Sequence, residues 1–402
     1  MHKGVSGRLD GVARLTLVLG AVMATGPLAI DMYLPAMPTI QAEFAVDASR
    51  VQHTLSAYLF GLALGQLAFG PIADRYGRKL PLELGLALFT LACAGCALSR
   101  SIDGFIALRF LQALGGASGM VLIRAVIRDR FDALQSARVL SLMMLVMGAA
   151  PILAPLLGGW ILLHGAWHWI FWFLAAFAAL CIALVALYLE ETHPAERRSA
   201  SVRAAIAGFV PVGRDRRFIG PVLVFISAFG AFFAYLAAAP FVFIQYYGVP
   251  AHHFGWYFGA NAAGFITVSQ LNRRLVLRHG VRRVLGWGVR GLATAAAALL
   301  ACALTGAGGF AGVLGPVFCM IASIGLIAAN ASAVAMEPFG ARAGGASSLL
   351  GASQSLFGVL ASAAVGWISA AGPRPMAAVI AVCAAISLAS YLLMVAPKRN
   401  PT

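Results

Sequence analysis

VLSLMMLVMGAAPILAPLLGGWILLHGAWHWIFWFLAAFAALCIALVALYL, residues Val139–Leu189, contains no Asp, Glu, Lys or Arg. A helix needs roughly 20 mainly apolar residues to cross the hydrocarbon of a bilayer. This stretch therefore holds two crossings, joined by a polar, Gly-containing turn near Leu163–His168. Working outward, uncharged stretches recur at Val51–Ala73, Phe218–Asn272, Gly291–Met336, Ala343–Pro373 and Pro375–Pro397, with further turns near Gly248–His253 and Thr305–Gly309. Dividing them at the turns predicts twelve spans, at about 14–35, 52–72, 80–99, 103–125, 138–162, 168–189, 218–246, 254–272, 284–304, 311–335, 346–370 and 376–396.

Composition agrees. The 402 residues are 61% hydrophobic and 11% charged, whereas ordinary soluble domains are about 45–50% apolar and about 25% charged. No soluble core hides that much hydrocarbon. The expected fold class is an all-α membrane protein of twelve transmembrane helices.

A net charge of +15 invites a nucleic-acid reading, and the positions of the 29 basic residues decide against it. With both termini cytoplasmic, all but five of them fall in inner segments. Arg50, Arg100 and Arg374 fall outside, and Arg109 and Arg290 lie within spans. Such asymmetry is the positive-inside rule, and it also favours an even number of crossings. Lys3, Arg8 and Arg14 before an apolar run resemble a signal peptide, but cleavage would unpair the spans, so a retained helix is expected. The six cysteines all lie in apolar spans. Cys93 and Cys96, a C-x-x-C without a nearby His or carboxylate, read as small hydrophobes.

The longest polar stretch, Glu190–Arg217, separates six spans from six and reads as a cytoplasmic linker between residues 1–189 and 218–402. Within it, Val202–Val212 could lie as an amphipathic helix on the inner leaflet. Arg75-Tyr76-Gly77, after span two, is echoed 203 residues on by Arg278-His279-Gly280, after span eight.

Polar groups inside hydrocarbon are costly and are functional candidates by default. Asp31 in span one and Arg109 in span four stand at matching depths, roughly 10 Å below the outer boundary at 1.5 Å per residue. Opposite charges placed so could face one cavity and tune each other's ionisation. Asp31 is then a proton carrier with Arg109 as partner, against the plainer reading of a static pair locking two helices. Helix five carries Gly148, Pro151, Pro155, Gly158 and Gly159 along one face, a pattern for close approach and bending. Candidate cavity residues are Tyr33, Tyr58, Gln66, Gln112, Asn261, Asn330 and Gln354, with Phe229 and Phe233 from the aromatic span seven.

Four segments resemble the major facilitator superfamily, and specifically Bcr/CflA-type drug:proton antiporters, along nearly the whole chain. GPIADRYGRK (Gly70–Lys79) resembles the loop motif G-x-L-A-D-R-x-G-R-K. RFLQALGGA (Arg109–Ala117) is similar to the span-four motif, with Ala113 where Gly is usual. GAAPILAPLLGGW (Gly148–Trp160) resembles the antiporter motif, with Ala154-Pro155 in place of its Gly-Pro, and LAIDMYLPAMP (Leu28–Pro38) resembles the branch's first-span signature. The resemblance implies two pseudo-symmetric six-helix halves that alternate access to a central site and exchange protons for a drug-like solute, such as chloramphenicol- or bicyclomycin-like antibiotics. It implies protonation at Asp31 beside Arg109, and a gating latch of Gly70, Asp74, Arg75, Gly77, Arg78 and Lys79, with Asp74 meeting the N-terminus of span eleven near Gly345–Ser347.

The implied partners are a small-molecule substrate, protons and the lipid bilayer, with no nucleic acid. The implied setting is a monomer in the bacterial inner membrane, multi-pass, with both termini cytoplasmic. An exporter of a small metabolite (amino acid, short peptide or sugar) is the alternative on the same fold. No enzyme is expected, since no nucleophile–base or metal constellation lies within the spans. His252-His253 lacks a companion ligand, so no metal and no cofactor are expected. The chain has no G-x-x-x-x-G-K-[ST] phosphate loop, which disfavours ATP-driven transport.

Overall fold

A bilayer offers no water to a free backbone N–H or C=O, so a spanning chain satisfies these groups within its own helices. The computed structural model describes residues 2–194, 196, 209–368 and 372–396. Twelve long helices lie among them: α1 (His2–Asp31), α2 (Ala48–Tyr76), α3 (Lys79–Leu98), α4 (Ile102–Arg130), α5 (Ala133–His164), α6 (His168–Tyr188), α7 (Arg216–Pro240), α8 (Ala251–His279), α9 (Val281–Thr305), α10 (Gly309–Met336), α11 (Ala343–Trp367) and α12 (Arg374–Ser390).

Each expected span coincides with one of these helices, and several helices continue past it at the basic face. Eleven are long and apolar enough to cross a bilayer by length and composition alone. The twelfth, α8, carries Asn261 and Asn272, and both amides are buried against the protein. Asn261 Nδ2 donates to Tyr235 Oη at 3.0 Å, and Asn330 Nδ2 donates to Asn272 Oδ1 at 2.7 Å. Polar side chains satisfied within the bundle lower the helix's mean hydropathy without exposing it to lipid.

The first span departs from expectation. Continuous helix to about residue 35 was expected, but α1 stops at Asp31, makes one tight turn at Leu34–Ala36 and resumes as a short helix over Met37–Phe44. Pro35 and Pro38 each lack a backbone donor, which accounts for the break. The crossing continues to Phe44, so Asp31 is the last helical residue before an interruption inside the bundle.

The packing repeats with a shift of six. In the first group α1 packs on α4, α5 and α6, α2 on α4, and α3 on α4 and α6. In the second group α7 packs on α10, α11 and α12, α8 on α10, and α9 on α10 and α12. Two large contacts join the groups, α2 with α11 and α5 with α8, and the same shift exchanges them. This is the pattern a two-fold pseudo-axis generates. The Arg-x-Gly echo falls on it: Gly77 and Gly280 end α2 and α8 with φ of 92° and 78°, a backbone region that glycine enters at no steric cost.

Of the linker, Phe209–Gly213 forms a short helix. The rest of the amphipathic helix expected at Val202–Val212 lies outside the described residues.

Candidate functional site

Where α1 breaks, its backbone runs out of partners. The i→i−4 ladder ends with Met32 N–H on the Leu28 carbonyl at 3.1 Å. The next carbonyl, Ala29, is taken by Arg109 Nη1 at 3.0 Å, and the same nitrogen donates to Gln112 Oε1 at 2.5 Å. Gln112 in turn donates to Cys93 Sγ at 3.0 Å. Arg109 is fully buried, and among the described residues its Nε and Nη2 have no hydrogen-bond acceptor. Its guanidinium carbon lies 4.3 Å from the Tyr33 ring centroid and 4.4 Å from that of Tyr58, with Phe171 at 5.8 Å. The negative faces of these rings stand where a counter-ion was expected. Tyr33 Oη is 2.7 Å from Thr54 Oγ1, whose own hydrogen goes to the Val51 carbonyl at 2.6 Å, so the tyrosine donates.

Among the described residues no ion pair joins Asp31 and Arg109, so the plainer reading of a static pair locking two helices does not hold here, and the arginine caps the broken helix. A cation on the free carbonyls of a helix C-terminus is favourable in its own right. Asp31 is 5% exposed and lies within electrostatic reach of the Tyr58 and Tyr235 hydroxyls. The turn after it, Leu34–Ala36, packs on α5, α7 and α8. The carboxylate therefore sits where the two groups of helices meet.

A cavity of about 940 Å³ lies between the groups, with walls from α2, α4 and α5 on one side and α7, α10 and α11 on the other. It reaches the basic face, where Asp74, Arg78 and Arg128 border it. At the opposite face the groups are sealed. Ser56 and Ser362 hydroxyls are 2.7 Å apart, and Gln245 Nε2 donates to Gln41 Oε1 at 2.8 Å. A Cβ on Gly255 would come within 2.8 Å of the Leu156 amide nitrogen, and one on Gly366 within 3.0 Å of Gln52 Oε1. The structure is open to the basic face and closed to the other.

Of the cavity residues expected from sequence, Gln354 and Gln66 line it and the others do not. Tyr33, Tyr58 and Gln112 are consumed around Arg109, Asn330 is bonded to Asn272, and Asn261 to Tyr235. Phe233 packs into the core against Gly358, while Phe229 sits between Phe225 and Phe232. The aromatic ring that reaches the cavity is Phe225. All three phenylalanines lie on one helix, and only packing selects the one that borders the cavity.

The loop motif folds as a clamp. Arg78 donates to Asp74 at 2.7 Å and to Asp129 of α4 at 3.1 Å. The backbone amides of Arg78 and Lys79 donate to Glu191 at 2.8 and 3.2 Å, and Lys79 Nζ donates to the Ala186 carbonyl at 3.0 Å. Burial would push the Glu191 carboxyl up, but hydrogen bonds from the amides of Arg78, His193, Lys79 and Thr192 outweigh it and hold the group below its ordinary 4.5. Asp74 is held by Arg78, where contact with the N-terminus of α11 was expected. Asp74, Gly345 and Ser347 instead border the same open cavity. Arg75 stacks over Tyr76, and a Cβ on Gly70 would meet nothing within 4 Å. Asp129 and Glu191, which complete the clamp, were missed from sequence because acids near inner helix ends are unremarkable until folding brings Arg78 between them.

In helix five the glycines are used unequally. A Cβ on Gly158 would lie 1.9 Å from the Met32 carbonyl oxygen, and one on Gly159 3.0 Å from His252 Cα. Gly148 faces Ile266 at an ordinary 3.5 Å, and Pro151 and Pro155 lie inside the helix. Close approach thus concentrates at the sealed end, where α5 meets the chain after Asp31 and the start of α8.

A family model described as Major Facilitator Superfamily matches residues 19–251. The chain is 37% identical over 380 residues to an uncharacterized MFS-type transporter, YdgK, of Bacillus subtilis, covering 94% of each. It is 32% identical over 379 residues to a bicyclomycin resistance protein homolog of Haemophilus influenzae, covering 94% of this chain and 95% of that one. Among solved structures, the partially occluded inward-open xylose transporter XylE of Escherichia coli superposes with a TM-score of 0.75 at 14% identity, covering 98% of this chain and all of that one. At that identity the likeness concerns the fold.

Proposed function

This chain belongs to the major facilitator superfamily, and we propose that it is a proton-coupled antiporter that exports drug-like small molecules, chloramphenicol- or bicyclomycin-like antibiotics among them, across the bacterial inner membrane. The observation that carries this reading is the cavity of about 940 Å³ between the two helix groups, open at the basic face and sealed at the other. Its size suits a drug-sized solute. The relative described as a bicyclomycin resistance protein homolog supports a drug as the cargo.

With the basic face cytoplasmic, the structure corresponds to the state that loads solute from inside. The halves, residues 1–189 and 218–402, rock about the α2–α11 and α5–α8 contacts, tethered by 190–217. Asp31 couples the proton to that motion. A neutral carboxylic acid is buried between the halves at far lower cost than a carboxylate, so gaining a proton favours one closed arrangement and losing it favours the other. Arg109 fixes the broken end of α1 that carries Asp31. Asp74, held here by Arg78, is the group that would meet the N-terminus of α11 when the inner mouth closes. The glycine–proline face of α5 is the hinge surface on which the outer seal parts. The molecule works as a monomer in lipid.

Everted membrane vesicles test the reading. Adding chloramphenicol or bicyclomycin should discharge an imposed ΔpH, and Asp31→Asn should abolish the discharge while the protein still inserts. Full antiport by Asp31→Asn would remove the carrier assignment. No discharge by any antibiotic, with discharge by an amino acid, dipeptide or sugar, would favour a metabolite exporter.

A further inference from the structure

We propose that, among the amphiphilic solutes the cavity takes, those bearing an anionic group, a carboxylate above all, bind most tightly, and that Arg124 of α4 is the residue that receives that group. This deepens, and rests on, the reading of the cavity as the solute's binding space.

The charges around the cavity do not balance. Asp74 is neutralised by Arg78, which also reaches Asp129, and Asp129 lies 3.9 Å from Arg128. Arg124 borders the cavity and has no ion pair or hydrogen bond among the described residues. Its place makes this unusual. Met120, Arg124 and Arg128 form one i, i+4, i+8 face of α4 toward the cavity. Arg128 is close to the end of the helix, whereas Arg124 is six residues inside it, about 9 Å at 1.5 Å per residue. Near this face Arg78, Arg128, Arg130, Arg217 and Arg282 each reach a carboxylate; among the described residues Arg124 does not. Inner-face basicity alone is met by groups at helix ends, and an arginine that avoids lipid by snorkelling points its head to the surface water. Arg124 borders the cavity instead.

The surroundings complete an amphiphile's site. Gln66 lines the cavity with a buried Oε1 that has no donor among the described residues, and Gln354 lines it from the opposite group. Ser347 and Ser348 lie on the α11 side. The remaining wall is apolar, with Phe225, Met120, Met144 and Met336 contributing rings and thioethers, flexible surfaces that accommodate varied shapes. A planar guanidinium offers two parallel N–H donors to a carboxylate, and its field repels a cation. A solute with an acidic head and an aromatic body therefore fits, and a lipophilic cation is disfavoured.

The test uses the full-length protein in phosphatidylcholine nanodiscs and three probes of equal size: dansyl-glycine, its neutral methyl amide, and a dansyl trimethylammonium analogue. Binding is read from dansyl fluorescence. The acid should bind about tenfold or more tighter than the amide, the scale of a hydrogen bond to a charged group, and the cation weakest. Arg124→Gln should erase the acid's advantage over the amide. Arg124→Lys, which keeps the charge, should retain part of it and shows that the site is still folded. Equal binding of acid and amide, an acid preference that survives Arg124→Gln, or no saturable binding of the acid would overturn the proposal. Loss of acid binding when phosphatidylglycerol is added to the nanodisc would also overturn it, by making Arg124 a seat for lipid phosphate. Since binding is measured without a proton gradient, an Arg124-dependent acid preference stands even if ΔpH discharge fails. Discharge by a neutral antibiotic likewise stands if the acid preference fails.

Discussion

Arg109 is a charge the sequence places within a span, and only the fold supplies the groups that meet it. A buried guanidinium must be satisfied, and Asp31 was the nearest acid by depth. In the fold the satisfaction comes from the Ala29 carbonyl, Gln112 and two tyrosine faces. Lysine keeps the charge but neither the fork nor the stacking plane. Arg109→Lys should therefore destabilise the protein by about 1–3 kcal/mol, read as a lower midpoint of thermal unfolding in detergent, and an unchanged midpoint would count against the cap. Glu191 makes a second prediction at this scale. Its folded value lies below the ordinary 4.5, so its grip on the Arg78–Lys79 amides is complete above that pH and fades as pH falls through the depressed value. The protection of those two amides, their exchange rate relative to the intrinsic rate at each pH, should be constant above 4.5 and fall as pH drops below it, and Glu191→Gln should abolish that pH dependence.

Helix five separates two kinds of glycine. Gly158 lies against the Met32 carbonyl, so even Ala places a Cβ where backbone already stands. Gly70 has open space around it, although it belongs to the most recognisable motif in the chain. On the proposed alternating access, the space is used when the inner mouth closes and α2 approaches α11. Gly158→Val should reduce the yield of folded protein severely, with overpacking of the order of 1–3 kcal/mol or more. Gly70→Val should leave thermal stability and solute binding near normal, yet hold the protein open to the basic face. Cysteine labelling of Ser347→Cys, a cavity-lining position, reads that state: persistent labelling in Gly70→Val, against protection by substrate and a proton gradient in the parent, is the expected result.

At the scale of the whole molecule, the main packing pairs repeat with a shift of six, and on the proposed alternating access one group rotates against the other while its internal contacts survive. The contacts that must break are those of the seal. Ser56 and Ser362, one from each group, touch through their hydroxyls at 2.7 Å. The double variant Ser56→Cys/Ser362→Cys should form a disulfide under mild oxidation, stop transport, and recover it on reduction. Each single variant should remain active. Transport undiminished in the oxidised double variant would mean that the seal does not open.

Much of this was already written in the chain. Charge-free runs of spanning length imposed twelve helices, because hydrocarbon tolerates no unsatisfied backbone, and the basic residues marked one face, because such charges stay out of it. The Gly70–Lys79 motif and the Asp31 segment carried the family. Folding alone decided which buried polar groups meet. Asp31 and Arg109 share a depth but not a contact, because Pro35 and Pro38 break α1 and leave a carbonyl for the arginine. Phe225 and Arg124 reach the cavity while Phe229, Phe233 and Tyr58 do not, because orientation around a helix depends on what packs against it, and in a uniformly apolar sequence no periodicity records that.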